Sequence, residues 1–431
     1  MDHTMFGVGR ASLETSLKKA TRRILPLLFI CYFFAYLDRV NVGFAKLQMQ
    51  SELGFSDAVY GFGAGVFFIG YFLFEIPSNL ILHRVGARRW IARIMITWGA
   101  LSAGMIFVSG PTSFYVLRFL LGIAEAGFFP GIVLYLTYWF PSARRGRITS
   151  LFMAAIPISG LIGGPLSGWV LDAFQGMHGL AGWQWLFLIE GLPTVALGVL
   201  VLVLLTDRIA DARWLDVGEK RLLENALKRD LPRHETSRLG SALKNSRVWT
   251  LSLIYFCIQM CVYAISFWLP TLIKAQGFRS NTTVGLVSAI PYLAATVTML
   301  LFGRSADATR ERRAHLIVPV MMGCIGMAGS AWFPQDSVMS LVSLTLAAMG
   351  VFTALPMFWP LPSAFLGGAA AAGGLAMINS LGNLAGFVSP YFLGWMRETM
   401  HSSSVALYVL SAIALLGAVL VLRVPAKLVN C

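Results

Sequence analysis

Six ionisable residues stand inside long apolar stretches of this 431-residue chain: Asp38, Arg39, Glu75, Arg118, Glu125 and Glu190. A charge placed at mid-membrane costs several kcal/mol on the gentler scales, so each needs a reason. Arg118 and Glu125 are seven residues apart, two helical turns, and therefore share one helix face. About 10 Å separates them along the axis, too far for a direct contact. Each can pair instead with Asp38 or Arg39 on another helix, and two acids with two guanidinium groups make a neutral set that is cheaper to bury. The chemistry such a set permits is proton exchange at an acid whose surroundings alternate. An arginine released by protonation of its partner is then free to take an anion in a bidentate contact. The alternative is a static ion network that only holds two helices together. Glu75, placed near the inner end of its helix within reach of Arg84 or Arg88, and Glu190, in the string WQWLFLIEG, read as structural or gating charges.

Neutral polar residues supply the other candidates. Asn379 and Asn383 are four apart and share a face, Tyr263 and Ser266 lie on one apolar run, and Trp359 follows Phe358. Amides and aromatic rings of this kind grip hydroxyl groups and apolar faces of small molecules. They serve equally well as packing contacts between membrane helices. Tyr36 and Tyr71 face the charged set if helical phase is kept.

The elements that must position these residues follow from composition. Hydrophobic residues make up 57% of the chain and charged residues only 13%, where a globular protein has about 25% charged. The chain is therefore neither soluble nor disordered. Four of its five cysteines (Cys31, Cys257, Cys261 and Cys324) lie in apolar runs, which excludes a disulfide scaffold. A hydrocarbon core of roughly 30 Å needs about 20 apolar residues in a helix. Twelve such stretches are read near 24–45, 58–82, 90–109, 112–139, 148–171, 184–206, 248–273, 283–303, 315–334, 337–360, 364–395 and 402–422. The expected fold is an all-α polytopic membrane protein of two six-helix bundles, 24–206 and 248–422, with cytoplasmic segments at 1–23, 207–247 and 423–431.

The net charge of +14 is topological on this reading. With the N-terminus inside, 28 of the 34 Lys and Arg residues fall on inner segments and four on outer loops, namely Lys46, Lys274, Arg279 and Arg397. That bias sets the orientation, and no nucleic-acid partner is needed. No cleavage site follows the basic residues of 1–23, so no secretory signal is read there. Within 207–247, Leu215, Leu222, Leu223 and Leu227 recur at near-helical spacing among charges, as in an amphipathic helix at the membrane surface. A shift of 224 residues superposes the halves: Arg23 falls on Arg247, His83 on Asp307, and Arg88-Arg89 on Arg312-Arg313. Parallel repeats of this kind occur in transporters, with the substrate site at mid-depth between them. The same shift sets Asp38 against Val262, Arg39 against Tyr263, Arg118 against Val342 and Glu125 against Met349. One half carries the charge and the other does not.

Longer strings sharpen the reading. NLILHRVGARRW (79–90) resembles the loop motif of the major facilitator superfamily, with His83 in place of the usual acid, and GRSADATRERR (303–313) resembles its second copy with Asp307 kept. In that superfamily these loops latch helices, which implies gating roles for Arg84, Arg88, Arg89, Asp307 and Arg312. YLDRVNVGFA, YFLFEIPSNL, GIAEAGFFPG, WQWLFLIEGLP, FWLPTLIK, FWPLPSAFL and INSLGNLAGFVSPY occur in order along nearly the whole chain and resemble the anion:cation symporter family. The resemblance implies proton coupling at Asp38 and Glu125, carboxylate binding at Arg39, and Arg118 as partner of Glu125 or the substrate. Tyr36, Tyr71, Tyr263, Trp359 and Asn383 match its pocket positions. It implies proton-coupled uptake of a small organic anion, such as tartrate or a related dicarboxylate or sugar acid, by a monomer in a bacterial inner membrane, with membrane lipid around it and no cofactor beyond the proton. An exporter or antiporter of organic acids, or an aromatic acid permease, is the alternative on the same fold. Val262, where some sugar-acid carriers place Gln, leans toward short or aromatic acids. Enzyme chemistry has no support: the six His residues are scattered, and no metal cluster or nucleotide-binding motif stands out.

Overall fold

A computed structural model describes residues 2–229, 245–365 and 369–425, and among the described residues there is no strand. The first half contains α1 (Asp2–Leu53), α2 (Asp57–Val85), α3 (Ala87–Ala103), α4 (Pro111–Glu125), α5 (Phe128–Thr137), α6 (Ser142–Met153), α7 (Ala155–Ala173) and α8 (Gly182–Leu204). After α9 (Val217–Arg229) come α10 (Ser246–Lys274), α11 (Asn281–Thr309), α12 (Arg313–Trp332), α13 (Ser337–Phe358), α14 (Pro360–Phe365), α15 (Ala369–Met400) and α16 (Ser404–Leu422). Eleven spans among the described residues are long and apolar enough to cross a membrane, with α4–α5, α6–α7 and α13–α14 each forming one broken span. The 32 residues of α15, about 48 Å of helix, supply the twelfth. The expected twelve-helix class is the observed one.

Three boundaries differ from the hydropathy reading. Helix α1 runs on to Leu53, so Lys46, assigned above to an outer loop, is a helix residue with 2% of its surface exposed. Helix α1 also begins before the apolar run, and Lys19 near its start pairs with Glu219 of α9 at 2.8 Å. That contact, with Leu223 of α9 buried, places α9 on the same face of the bundle as the N-terminus, here called the tail face. The fourth span breaks directly after Glu125. Ala126 leaves helical geometry at φ −53°, ψ 130°, and Gly127 takes φ +86°, where a Cβ would also lie 2.3 Å from Ser78 Oγ. Only glycine fits such a left-handed, crowded position without strain. Residues 230–244 of the linker, 426–431 of the tail and the side chain of Asp307 lie outside the described residues.

The halves meet along three helix pairs: α1 with α10, α2 with α15, and α7 with α11. Helices α7 and α11 cross almost backbone to backbone, since a Cβ on Gly285 would stand 2.2 Å from the Gly164 carbonyl oxygen. On the far face, opposite the tail face, polar contacts tie the pairs together. Asp57 at the start of α2 forms an ion pair with Lys46 Nζ (2.7 Å) and accepts a hydrogen bond from Arg397 Nε of α15 (3.0 Å). Asp172 of α7 accepts from the Thr282 amide (2.7 Å), Ser280 Oγ (2.8 Å) and Asn281 Nδ2 (2.8 Å) at the start of α11. A carboxylate at a helix N-terminus is favoured by the exposed amides and the helix dipole.

Gly127→Ala is expected to destabilise the folded protein by about 1–3 kcal/mol, from the left-handed penalty and overpacking against Ser78. Denaturation in detergent micelles measures it, and an unchanged midpoint would remove the strain argument.

Candidate functional site

Arg39 of α1 and Glu125 of α4 form an ion pair, with 10% and 1% of their side chains exposed. The break at Ala126–Gly127 leaves Glu125 at the last position of α4, facing α1. Around the guanidinium stand Phe67 and Tyr71, each with its ring centroid 5.6 Å from the Arg39 carbon, and Tyr36 at 6.0 Å. Rings at this distance offer their negative faces to the cation. Arg39, paired with Glu125, thus stands in the wall of a mid-depth cavity, with Glu75 of α2 within electrostatic reach of it.

That cavity holds about 50 Å³ of free space and is lined by Tyr32, Tyr36, Arg39, Tyr71, Phe129, Met153, Ile156, Tyr255, Gln259, Val262, Tyr263, Leu355, Asn379 and Asn383. Both halves contribute, and bonds across them shape it. Tyr36 Oη and Ser266 Oγ are 3.0 Å apart, and Asn379 Nδ2 donates to Glu75 Oε1 at 2.8 Å. Within the second half, Tyr263 Oη donates to Asn383 Oδ1 at 3.5 Å and Gln259 Nε2 to Tyr255 Oη at 3.2 Å. Tyr255, Gln259 and Asn379 lie toward the tail-face ends of α10 and α15, so the cavity extends from Arg39 toward the tail face.

The charged set proposed from spacing divides into separate groups. Arg118 does not join the cavity. It is fully buried, and its Nε and Nη2 donate to the backbone carbonyls of Gly63 (3.3 Å) and Ala64 (3.2 Å) on α2, with Phe67 5.0 Å from its guanidinium carbon. This makes it a tie between α2 and α4. Asp38 is directed away from Arg39, because adjacent helix residues project about 100° apart. It accepts from Ser102 Oγ of α3 (3.0 Å) and Thr194 Oγ1 of α8 (2.8 Å). One turn from Thr194, buried Glu190 accepts from Ser167 Oγ of α7 at 2.8 Å, with Asn41 beside it. Hydroxyls and an amide, rather than guanidinium groups, surround these two carboxylates.

Other assignments are also revised. Glu75 meets Asn379 of the opposite half rather than Arg84 or Arg88, with Ser380 and Asn383 beside the same carboxylate. Trp359 stands behind the cavity, its ring 5.1 Å from that of Tyr255. Arg84 and Arg89 are exposed, while the Arg88 amide donates to Asp207 Oδ1 at 2.8 Å, fastening the loop to the end of the first half. In the second loop Glu311 accepts the Ala314 amide at 2.8 Å and caps α12 beside half-buried Arg312. Tyr255, Gln259 and Tyr32 were missed by the sequence reading. Their signal was available: Tyr255, Gln259 and Tyr263 recur every four residues, as do Tyr32 and Tyr36.

Among the described residues, the apolar spans packed around a mid-depth cavity define a multi-pass membrane protein. The chain belongs to the Major Facilitator Superfamily, whose family model matches residues 28–390. It is 49% identical over 414 residues, 96% of this chain and 95% of the relative, to a Pseudomonas putida protein named as the metabolite transport protein NicT. A protein of Agrobacterium vitis named as a tartrate transporter is 48% identical over 419 residues, covering 96% of this chain and 93% of its own. The inner membrane transport protein RhmT of Escherichia coli is 39% identical over 413 residues, 95% of both chains. Among solved structures, the xylose transporter XylE of E. coli superposes with a TM-score of 0.76 at 15% identity, over 94% of this chain and 97% of that one.

Removing either member of the Arg39–Glu125 pair is expected to cost about 3–5 kcal/mol, because the other is left charged and buried. Arg39→Leu combined with Glu125→Leu is expected to cost less than the sum. Unfolding of the single and double variants measures the coupling, and strict additivity would show that the pair does not interact.

Proposed function

We propose that this transporter carries a small organic anion into a bacterial cell together with protons, through the inner membrane. The tail face is cytoplasmic on this reading, as the distribution of basic residues requires. The cavity then opens inward, with the far face closed by Asp57 and Asp172. The observation that carries the reading is a single arginine at the cavity wall, held by one glutamate and ringed by aromatic faces. Protonation of Glu125 releases Arg39, and a substrate carboxylate replaces the lost partner in a bidentate contact. Deprotonation on the cytoplasmic side restores the pair and expels the anion.

Asp38 is the second proton carrier. Its carboxylate is buried with only two hydroxyl donors and no cation bonded to it, so keeping a charge there is costly unless the surroundings change. Thr194 and Ser102 link it to α8 and α3, so its state is felt by helices that must tilt when the halves rock. An inward-negative potential adds about 2.3 kcal/mol per net charge at 100 mV, which assists entry when protons outnumber substrate charges.

The relatives named for tartrate transport support a carboxylate substrate. Amides at Gln259, Asn379 and Asn383 suit hydroxyl groups of tartrate or a related sugar acid. The ring-lined wall of Tyr32, Tyr36, Tyr71, Phe129, Tyr255 and Tyr263 favours a second reading, an aromatic carboxylate.

Purified protein in liposomes is expected to accumulate an acid from a panel spanning tartrate, galactonate and aromatic monocarboxylates when the lumen is alkaline. Glu125→Gln and Asp38→Asn are expected to abolish gradient-driven accumulation while leaving exchange of the acid across the bilayer. No gradient-stimulated uptake for any acid would overturn symport, and accumulation by both variants would overturn the proton assignment.

A further inference from the structure

The far face is poor in positive charge, with Lys46, Lys274, Arg279 and Arg397 as the basic residues read there. Three of these four converge on one recess. Lys46 of α1, Lys274 of α10 and Arg397 of α15 line it with Gln50, Ser51 and Thr271, around about 380 Å³ of space that opens to the solvent. One acid, Asp57, answers Lys46 and Arg397. Lys274 Nζ bonds to neutral oxygens, the Asn281 side chain at 3.0 Å and the Leu47 carbonyl at 3.4 Å. The nearby Asp172 carboxylate is already taken by the start of α11. Thr271 Oγ1 is buried without a hydrogen-bond partner. The floor is aromatic, with Lys46 Nζ 3.8 Å from the Trp268 ring centroid and 4.9 Å from that of Tyr60.

Two ordinary explanations fall short. Cations at helix C-termini complement the dipole, which covers Lys274 and Arg397 in the last turns of α10 and α15. It does not cover Lys46, which is buried two turns before the end of α1. Closure of the face needs one cation on Asp57, not three around one cavity. Basic residues on the outer side also work against the charge bias that orients the protein.

We propose that this recess is an outer entry site for the carboxylate anion. The anion docks on Lys274 and, in competing with Asp57 for Lys46 and Arg397, loosens the contact between α2 and α15 that closes the far face. Binding at the surface is thereby coupled to opening. The inference rests on the orientation and substrate class proposed above.

Its test separates the two. In Ser51→Cys protein, the anionic sulfonatoethyl methanethiosulfonate is expected to react about tenfold faster than the cationic trimethylammonium reagent, as a net positive recess requires. The four native cysteines within the described residues are buried. Millimolar tartrate or benzoate slows the labelling, and Lys274→Gln abolishes both the preference and the protection. In oriented proteoliposomes, Lys274→Gln raises the KM for the transported acid entering from the far face about tenfold, the value of one charge-assisted contact. The KM for exit from the tail face is unchanged, and exposed Arg279→Gln, outside the recess, changes neither. Equal labelling by the two reagents, no protection by either acid, or equal KM shifts in both directions would overturn the entry site. Failure of every acid to be transported would overturn the proposed function, while the labelling still decides the recess.

Discussion

The buried pair of Arg39 and Glu125 is the interaction around which the first half is arranged. A charged guanidinium or carboxylate at this depth is costly without partners, so Arg39 and Glu125 each stay within reach of the other or of a replacement. That condition explains several local features together. Helix α4 stops at Glu125 because Gly127 turns left-handed there, which presents the carboxylate to α1 instead of to the next turn. Phe67 and Tyr71 of α2 close over the cation. Arg118, two turns earlier on α4, fixes α2 against α4 through the Gly63 and Ala64 carbonyls, so the aromatic wall keeps its distance from Arg39.

The opposite half answers with neutral groups. Tyr255, Gln259, Tyr263, Asn379 and Asn383 face the charged wall, and the shifted repeat places Tyr263 where the first half has Arg39. The electrical asymmetry has a mechanical sense. If both halves carried charge at the centre, separating them would break ion pairs in a low dielectric. With charge in one half and amides in the other, the interface between them is held by weaker bonds such as Tyr36 with Ser266 and Glu75 with Asn379. Stronger contacts are confined to the far face, where Asp57 and Asp172 join the halves near water. Rocking then requires rupture of solvent-accessible contacts while the central pair stays inside one half.

Much of this was legible in the residues. Hydropathy alone places twelve spans, and the arithmetic of basic residues separates inner from outer segments. The six charges in apolar stretches were singled out by type, because nothing in a membrane helix tolerates them without cause. Their partners were not legible to the same degree. The spacing of Arg118 and Glu125 was compatible with one four-membered set. Yet Asp38 and Arg39 are sequence neighbours on a helix and cannot point the same way, a consequence of helical geometry that a fuller reading of phase would have caught. Lys46 was misplaced because hydropathy ends a span where a charge appears, whereas α1 continues by burying that charge against Asp57, Trp268 and Tyr60.

The sequence by itself determined what each segment is: a membrane helix, a basic inner loop, a carrier of charge or of amide groups. These follow from transfer free energies and periodicity, which are properties of a segment and its solvent. The tertiary structure decided which charge answers which. It set Glu125 on Arg39, Arg118 on backbone carbonyls, Asp38 among hydroxyls and Lys46 beneath the far-face recess. Those pairings depend on how three or four helices far apart in the chain cross one another, at crossings as close as the one between Gly164 and Gly285. The reach of a side chain is a few ångström, and no spacing along one helix specifies which neighbour will stand within it.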